Sequence, residues 1–175
     1  MQDNMSTDRG WVTGMFQDRD STEQAYRALE EKGYNRDDIT LIMSDETRRR
    51  YFPEEKVEVG TKAAAGAGTG SAIGGTIGAI AGAIAAVGTS LVIPGLGIII
   101  AGPIAAGLAG AGAGGITGGL IGALVGSGIP EARAKLYESG IKEGRIVMGV
   151  RPRNEEDAKY FEEKWRENKA EEVHR

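Results

Sequence analysis

The chain offers few side chains suited to catalysis or metal binding. It has no cysteine, and its one histidine, His174, lies beside the C-terminus. A single imidazole without partners at ligand spacing does not indicate a metal site, and we expect a disordered tail there. Adjacent acids such as Glu162 and Glu163 are typical of solvated helix faces. Because no nucleophile, base and orienting group can be combined, the sequence predicts a protein that is not an enzyme and needs no cofactor.

Two short patterns resemble ligand-binding motifs. Residues 110–115 read G-x-G-x-x-G, but they do not follow a predicted strand, which argues against a dinucleotide site. Arg48, Arg49 and Arg50 are adjacent, and we interpret them as a solvated loop or helix face, with phosphate binding as the weaker alternative. The net charge of -4 gives no indication of nucleic-acid binding. We expect no nucleic-acid partner, and the sequence identifies no small-molecule substrate.

Charge divides the chain into three parts. Residues 1–62 and 131–175 are rich in charged side chains, whereas residues 63–130 contain no Asp, Glu, Lys or Arg. A helix that crosses a bilayer needs only about 20 apolar residues, so the uncharged part is longer than one membrane-spanning or core helix requires. We therefore predict that residues 63–130 form a glycine-rich α-helical hairpin between two halves of an α+β domain.

The first half of that domain is predicted as strand, helix, strand. Residues 11–16 and 39–44 are short runs rich in apolar residues, typical of strands. Asp20 or Ser21 can cap the helix between them, and Gly33 suits its C-terminal end. Residues 56–59 alternate in polarity, so a third short strand is an open alternative.

The second half is predicted as helix, strand, helix. A helix follows Pro130 and should end near Gly140. Residues 145–150 read as a strand, and Asn154 can cap a final helix. The order β-α-β…α-β-α resembles a small ferredoxin-like α+β sandwich that the hairpin interrupts.

Glycine recurs at every fourth position in two ladders within the uncharged part. Residues four apart share one face of a helix, and glycine there lets two helix backbones approach closely. Residues 73–82 and 117–126 are identical at six of ten positions, so the ladders belong to an internal repeat. The predicted helix-packing residues are Gly66, Gly70, Gly74, Gly78, Gly82, Gly110, Gly114, Gly118, Gly122 and Gly126.

These ladders must be stabilised by something outside a single helix. Each interior glycine disfavours a helix by about 1 kcal/mol relative to alanine. A bilayer would stabilise the helices because unsatisfied backbone groups are costly in lipid, and a packed oligomer would also do so. Residues 87–103 connect the two predicted arms and are strongly apolar, so we expect this connector to be buried in lipid or in an assembly.

The residues together resemble a known family. The beginning WVTGMFQDRDSTEQAYRALEEKGYNRDDITLI, the central IPGLGIIIAGP with a later GIPEARAKLYESGIKEG, and the strand RIVMGV are similar to the bacterial heat-induced or general stress proteins of the YflT type. That resemblance covers most of the chain beyond the first ten residues. It implies a stress-associated, non-enzymatic protein and supplies no catalytic residues.

Two functions follow as hypotheses. In the first, the chain is a stress-response protein that associates with or inserts into the membrane through its hairpin. Its α+β domain would then lie on the cytoplasmic side, since residues 1–10 show no secretory signal. In the alternative, it is a soluble cytoplasmic scaffold, a homo-oligomer whose hairpins pack between subunits. A small-ligand binder is the weakest hypothesis.

Overall fold

The structure, a computed structural model, describes residues 10–52, 90–93, 95–110 and 119–175. Those residues form a mixed α/β fold with one six-stranded antiparallel sheet and six helices. The strands are β1 (Val12–Phe16), β2 (Ile39–Ser44), β3 (Ser90–Ile93), β4 (Ile98–Ala101), β5 (Ile146–Val150) and β6 (Glu171–His174). The helices are α1 (Arg19–Glu31), α2 (Asp45–Tyr51), α3 (Pro103–Gly110), α4 (Gly119–Gly126), α5 (Glu131–Lys142) and α6 (Glu155–Glu167).

The sheet order is β3-β4-β2-β5-β1-β6, and every neighbouring pair is antiparallel. The central strand β5 pairs with β1 on one side and with β2 on the other, with Met148 opposite Gly14 and Leu41. These pairs join residues from the two ends of the chain. The uncharged part contributes β3 and β4 to the same sheet.

Helices cover both faces of the sheet. Side chains of a strand alternate between the two faces, and the core is accordingly divided into two clusters. Leu41 and Met148 pack in the cluster that includes α1 and α6. Ile42 and Val147, their chain neighbours, pack in the cluster that includes α3, α4 and α5. Because both faces are buried at β1, β2, β4 and β5, these four strands are apolar along most of their length.

The predicted elements of the two charged parts are confirmed, with changes at their ends. Helix α1 begins earlier than predicted, because Asp18 is the N-cap and accepts a 2.8 Å hydrogen bond from the backbone N of Ser21. Gly33 follows the helix with φ +75, as its predicted C-terminal role requires. Helix α5 continues past Gly140 to Lys142, and Gly144 at φ +94 follows its end.

Helix α2 decides between two stated alternatives, and two other elements differ from the sequence predictions. Residues 45–51 form helix α2, capped by Ser44, which accepts a 3.0 Å hydrogen bond from the backbone N of Thr47. The C-terminal tail is not disordered, because β6 pairs with β1 and places His174 opposite Thr13. The described part of the apolar connector contains strands β3 and β4, and the chain's own sheet buries Ile93 and β4, whereas Val92 and Leu96 are exposed. The alternative strand at residues 56–59 and the first ladder lie outside the described residues.

Candidate interaction surface

The described part of the uncharged region presents an unusual surface. Residues 90–93, 95–110 and 119–130 carry no charged side chain, yet several of them are exposed. Three are large and apolar: Val92 is 57 % exposed, Leu96 is 43 % exposed and Val125 is 44 % exposed. We call the exposed residues of β3, the β3–β4 turn, α3 and α4 that the structure describes the uncharged surface. An apolar surface of this kind is typical of a contact with another molecule or with lipid.

A glycine sets the position of α3 on the sheet. Gly102 has φ +94, and a Cβ atom there would lie 2.1 Å from the backbone O of Ile39. The chain therefore passes from β4 directly over β2, an approach that only glycine allows. Helix α3 begins at Pro103, and the backbone N of Ile104 donates to Oγ1 of buried Thr40 at 3.4 Å. The uncharged surface is thus joined rigidly to the centre of the sheet.

Helix α4 has one packed face and one open face. Leu120, Ala123 and Leu124 are buried against the core. The opposite side of the helix exposes Gly122, Val125 and Gly126, which we call the α4 glycine face. In the part of the chain that the structure describes, a Cβ atom at either glycine would meet nothing within 4 Å.

Both ends of α4 are fixed in place. At the N-terminal end, Gly119 has φ +62, and a Cβ atom there would lie 3.6 Å from Cδ1 of Leu96 in the β3–β4 turn. At the C-terminal end, Gly128 has φ +93, and the backbone N of Ile129 donates to the backbone O of Leu124 at 3.0 Å. That bond is characteristic of a Schellman motif. Trp11 donates through Nε1 to the backbone O of Ser127 at 2.9 Å.

The predicted ladders are described only in part. Gly110 is the last residue of α3, and Gly122 and Gly126 lie on α4. Among the described residues, nothing packs against Gly122 or Gly126, so the close helix approach predicted there remains a prediction. The other ladder positions lie outside the described residues; these are Gly66, Gly70, Gly74, Gly78, Gly82, Gly114 and Gly118.

The sequence analysis did not identify the exposed apolar residues of this surface. Leu96 lies between Gly95 and Gly97, whose φ values of +80 and +61 place it in the turn between β3 and β4. The available signal was an apolar residue between two glycines, since this pattern is typical of a turn whose central side chain is exposed. Val125 directly precedes Gly126, so the sequence predicts that it lies beside the ladder. The sequence does not predict that this side of the helix is exposed.

The opposite face of the sheet carries a polar cluster instead. Tyr34 Oη donates to Oδ2 of Asp157 at 2.7 Å and accepts from the backbone N of Arg153 at 2.6 Å. Asn154 caps α6 by accepting a 2.7 Å bond from the backbone N of Asp157, as predicted. Burial raises the pKa of Tyr34 to about 12. These contacts lock the beginning of α6 to the end of α1, which is a structural role.

The remaining candidate residues also have structural partners. Arg48 and Arg49 form ion pairs with Asp45 at 2.9 and 2.7 Å within α2, which favours the solvated helix face over a phosphate site. His174 Nε2 lies 3.2 Å from Oε2 of Glu172. In the described ranges, no group of three or more His, Cys, Asp or Glu side chains is arranged to hold a metal ion.

Comparison with known proteins adds no relative. No family model matches the chain, and no curated protein or solved structure matches it. Among the helices that the structure describes, each is too short or too polar to cross a membrane.

Proposed function

We propose that the chain is a non-enzymatic protein that associates with a membrane through its uncharged region. The observation that carries the proposal is the exposure of Leu96 and Val125 on a surface without a single charged side chain. Transfer of apolar surface from water into lipid is favourable by about 25 cal/mol per Å². A role in the stress response follows only from the resemblance to the YflT type and is part of the proposal.

The geometry suggests how the uncharged region would meet the lipid. Strands β3 and β4 belong to the sheet, so they divide the uncharged region into two pieces along the chain. The first piece, residues 63–89, lies in the interval between Phe52 and Ser90, both of which belong to the same domain. A piece with both ends on one side of a bilayer must enter and return, which favours a re-entrant or interfacial segment over a single crossing. Helices α3 and α4 would lie against the interface.

The same sheet supports a ferredoxin-like core as part of the proposal. Strands β2-β5-β1-β6 are consecutive in the sheet, and α1 and α6 follow β1 and β5 along the chain. That order agrees with the split β-α-β arrangement. Residues 45–145 would then be the insertion between the two halves. The proposal also includes a cytoplasmic position for the domain, as the sequence analysis expects.

Fractionation of cells with a carbonate wash tests the proposal directly. We expect the wild-type protein in the membrane fraction, and a fully soluble protein would refute membrane association. Flotation of the purified protein with phosphatidylcholine vesicles, which carry no net charge, measures the strength of the binding. Replacing both Leu96→Lys and Val125→Lys should weaken vesicle binding about tenfold or more, because two partly buried apolar side chains are lost.

Leu136→Lys is the matched control for those variants. Leu136 is 49 % exposed, similar to Leu96 and Val125, but it lies on α5 among charged residues. We expect vesicle binding by this variant to equal that of the wild type. An equal loss in both variants would indicate a general effect of added charge rather than a specific surface.

A soluble, self-assembling homo-oligomer is the second candidate. The observation that favours it is the open α4 glycine face, which permits close packing of a helix from another subunit. Sizing in detergent-free buffer separates the two candidates. A large, uniform particle without lipid would support assembly, and a monomer would exclude it.

A further inference from the structure

The two edges of the sheet differ in how they are protected against pairing with another strand. Strand β6 forms one edge and carries Glu171, Glu172 and His174. Its pairing with β1 is interrupted by a register shift between Thr13 and Met15. Charged side chains and irregularities of this kind are typical of natural edge strands, because they discourage other chains from pairing with the free backbone groups.

Strand β3 forms the opposite edge and has neither form of protection. Residues 90–93 read SLVI and contain no charged side chain, no proline and no glycine. They pair with β4 in continuous register, from Ser90 opposite Ala101 to Ile93 opposite Ile98. In the part of the chain that the structure describes, no strand pairs with the outer side of β3. An uncharged edge of regular register is a template for a further strand.

Val92 is the exposed apolar side chain of this edge. It lies opposite Ile99, which in turn lies opposite Met43 of the core cluster that includes α1 and α6. Ile93 belongs instead to the cluster that includes α3, α4 and α5. Because side chains alternate along a strand, Val92 projects from the sheet face opposite α3 and α4. It is 57 % exposed, so a neighbouring strand would bury more of its apolar surface.

We propose that β3 of a second copy of the chain pairs antiparallel with this edge, which gives a two-fold dimer with one continuous sheet. A two-fold axis perpendicular to the sheet places one residue of β3 directly opposite the same residue of the second copy. Val92 lies near the middle of the strand, so the pairing is centred on it. The two Val92 Cβ atoms would then lie about 4.5–5.5 Å apart.

The charge pattern of the two edges favours a second copy as the partner. In a two-fold pair the side chains of an edge strand meet those of the same strand, and like charges opposite each other are destabilising. Residues 90–93 bring no charges together, whereas the same pairing of β6 would bring Glu171 and Glu172 close to their own copies. The chain therefore allows self-pairing at the β3 edge and opposes it at the β6 edge.

The geometry of the dimer agrees with the proposed function and does not depend on it. Directly opposite residues of an antiparallel pair project to the same face, so helices α3 and α4 of both copies lie on one side of the continuous sheet. Sheet twist rotates neighbouring strands by only about 20–25°, so a single bilayer can contact both copies. The pairing uses residues 90–93, which leaves Leu96 and Val125 to the lipid contact. Two such contacts in one dimer strengthen membrane binding through effective concentration.

Sedimentation equilibrium of the full-length protein in the absence of lipid tests the dimer. A contact through one short strand is small and therefore weak, so the protein is measured from about 1 to 300 µM. We expect a monomer–dimer equilibrium for the wild type. Val92→Lys should weaken dimerisation about tenfold or more, because two ammonium groups would face each other across the axis. Leu136→Lys, at a site of similar exposure on α5, should dimerise as the wild type does.

Two results of this measurement would overturn the proposal. A wild-type protein that remains monomeric over the whole range has no dimer contact at β3. Equal dimerisation constants for Val92→Lys and Leu136→Lys would place the contact elsewhere or show a general effect of added charge.

Cysteine cross-linking tests the pairing at Val92, since the natural chain contains no cysteine. Val92→Cys places two thiols side by side in the proposed dimer, whereas Leu136→Cys measures random collisions of an equally exposed thiol. We expect the covalent dimer of Val92→Cys to form about tenfold faster or more on oxidation at equal concentration. Equal rates for the two variants would contradict the pairing.

Failure of the dimer is distinguishable from failure of the proposed function, because these measurements contain no lipid. The variant with both Leu96→Lys and Val125→Lys should lose vesicle binding and still dimerise like the wild type. Loss of dimerisation in that variant would assign the contact between copies to the surface around α4, and the pairing of β3 would be wrong.

Discussion

The two faces of the sheet are covered by helices that are held by different kinds of contact. Helices α1 and α6 carry charged outer surfaces, with ion pairs such as Lys164–Glu167 at 2.7 Å and Arg166–Glu162 at 2.6 Å. Helices α3 and α4 carry no charge, and the path into α3 depends on glycine. Helices α1 and α6 therefore present charged side chains to their surroundings, whereas α3 and α4 present none.

The two pairs of helices therefore present different surfaces to their surroundings. Exposed ion pairs contribute little stability but keep a surface hydrated. An uncharged helix surface lacks that hydration, so the α3–α4 layer is the side suited to lipid or to another helix. The comparison predicts that the uncharged layer is sensitive to added atoms, whereas the charged layer is sensitive to lost hydrogen bonds and to pH.

The largest expected effect comes from adding one methyl group below α3. Gly102→Ala places a Cβ atom 2.1 Å from the backbone O of Ile39 at a residue with φ +94, so the crossing must shift. We expect the free energy of unfolding to fall by about 3 kcal/mol or more. Urea denaturation measures this loss.

Gly107→Ala is the control, because its Cβ position is open and alanine favours a helix by up to about 1 kcal/mol. Equal effects of the two substitutions would show that the uncharged layer does not depend on close backbone approach.

The next effect concerns the charged layer. Tyr34→Phe removes the hydroxyl that bonds Asp157 and the backbone N of Arg153, and Asp157 is only 9 % exposed. The unfolding free energy should fall by about 1–3 kcal/mol. Tyr160→Phe is the matched variant, since its exposed hydroxyl lies 3.4 Å from Glu31. A change within about 0.5 kcal/mol is expected for it, and a larger loss there than at Tyr34 would contradict the assignment.

The acid sensitivity of the charged layer should depend partly on Asp18. The hydrogen bond from the backbone N of Ser21 lowers the pKa of Asp18 below its usual value of 3.8. A lowered pKa in the folded state means that the carboxylate stabilises the fold above pH 3.8, and that this contribution is lost as pH falls through the folded-state pKa.

Asp18→Asn keeps a capping side chain without the charge. As the pH falls below about 4, the free energy of unfolding of this variant should therefore decrease less than that of the wild type. Stability measured across pH 2–6 tests this; superimposable acid profiles for the two proteins would count against it.

The smallest effect is a gain in stability. Lys169 follows α6 with φ +60, the left-handed conformation that a helix C-terminus usually assigns to glycine. Lys169→Gly should raise the unfolding free energy by roughly 0.5–1 kcal/mol. The same replacement at Lys159, inside α6, should lower it by about 1 kcal/mol. Thermal unfolding of the two variants therefore should give shifts of opposite sign.

The charged parts of the fold were predictable because their patterns are local. β1, α1, β2, α5, β5 and α6 have apolar periodicity and caps that identify each element without tertiary context. Strand β6 has the polar sequence Glu171–His174 and forms only because β1 offers an unpaired edge. Strand β1 lies more than 150 residues earlier in the chain, so no local sequence pattern predicts β6.

The uncharged part was harder to interpret for a different reason. β3 and β4 are short apolar runs embedded among glycine and alanine, and such runs do not distinguish strand from buried helix. The ladder spacing did identify Gly122 and Gly126 as residues on one face of a helix. It could not indicate that Leu120 and Leu124 would take the packed side, because that choice depends on where α4 meets the sheet.

The position of β1 between β5 and β6 has a consequence for synthesis. Both neighbours of β1 come from the last 30 residues, so β1 leaves the ribosome long before either partner exists. At about 10 residues per second, the delay is on the order of 10 s. From its own synthesis until the end of that delay, the uncharged region is attached to a sheet that cannot close. A nascent chain in this state would be a natural client for chaperones, and a nearby bilayer could capture the region before the domain is finished.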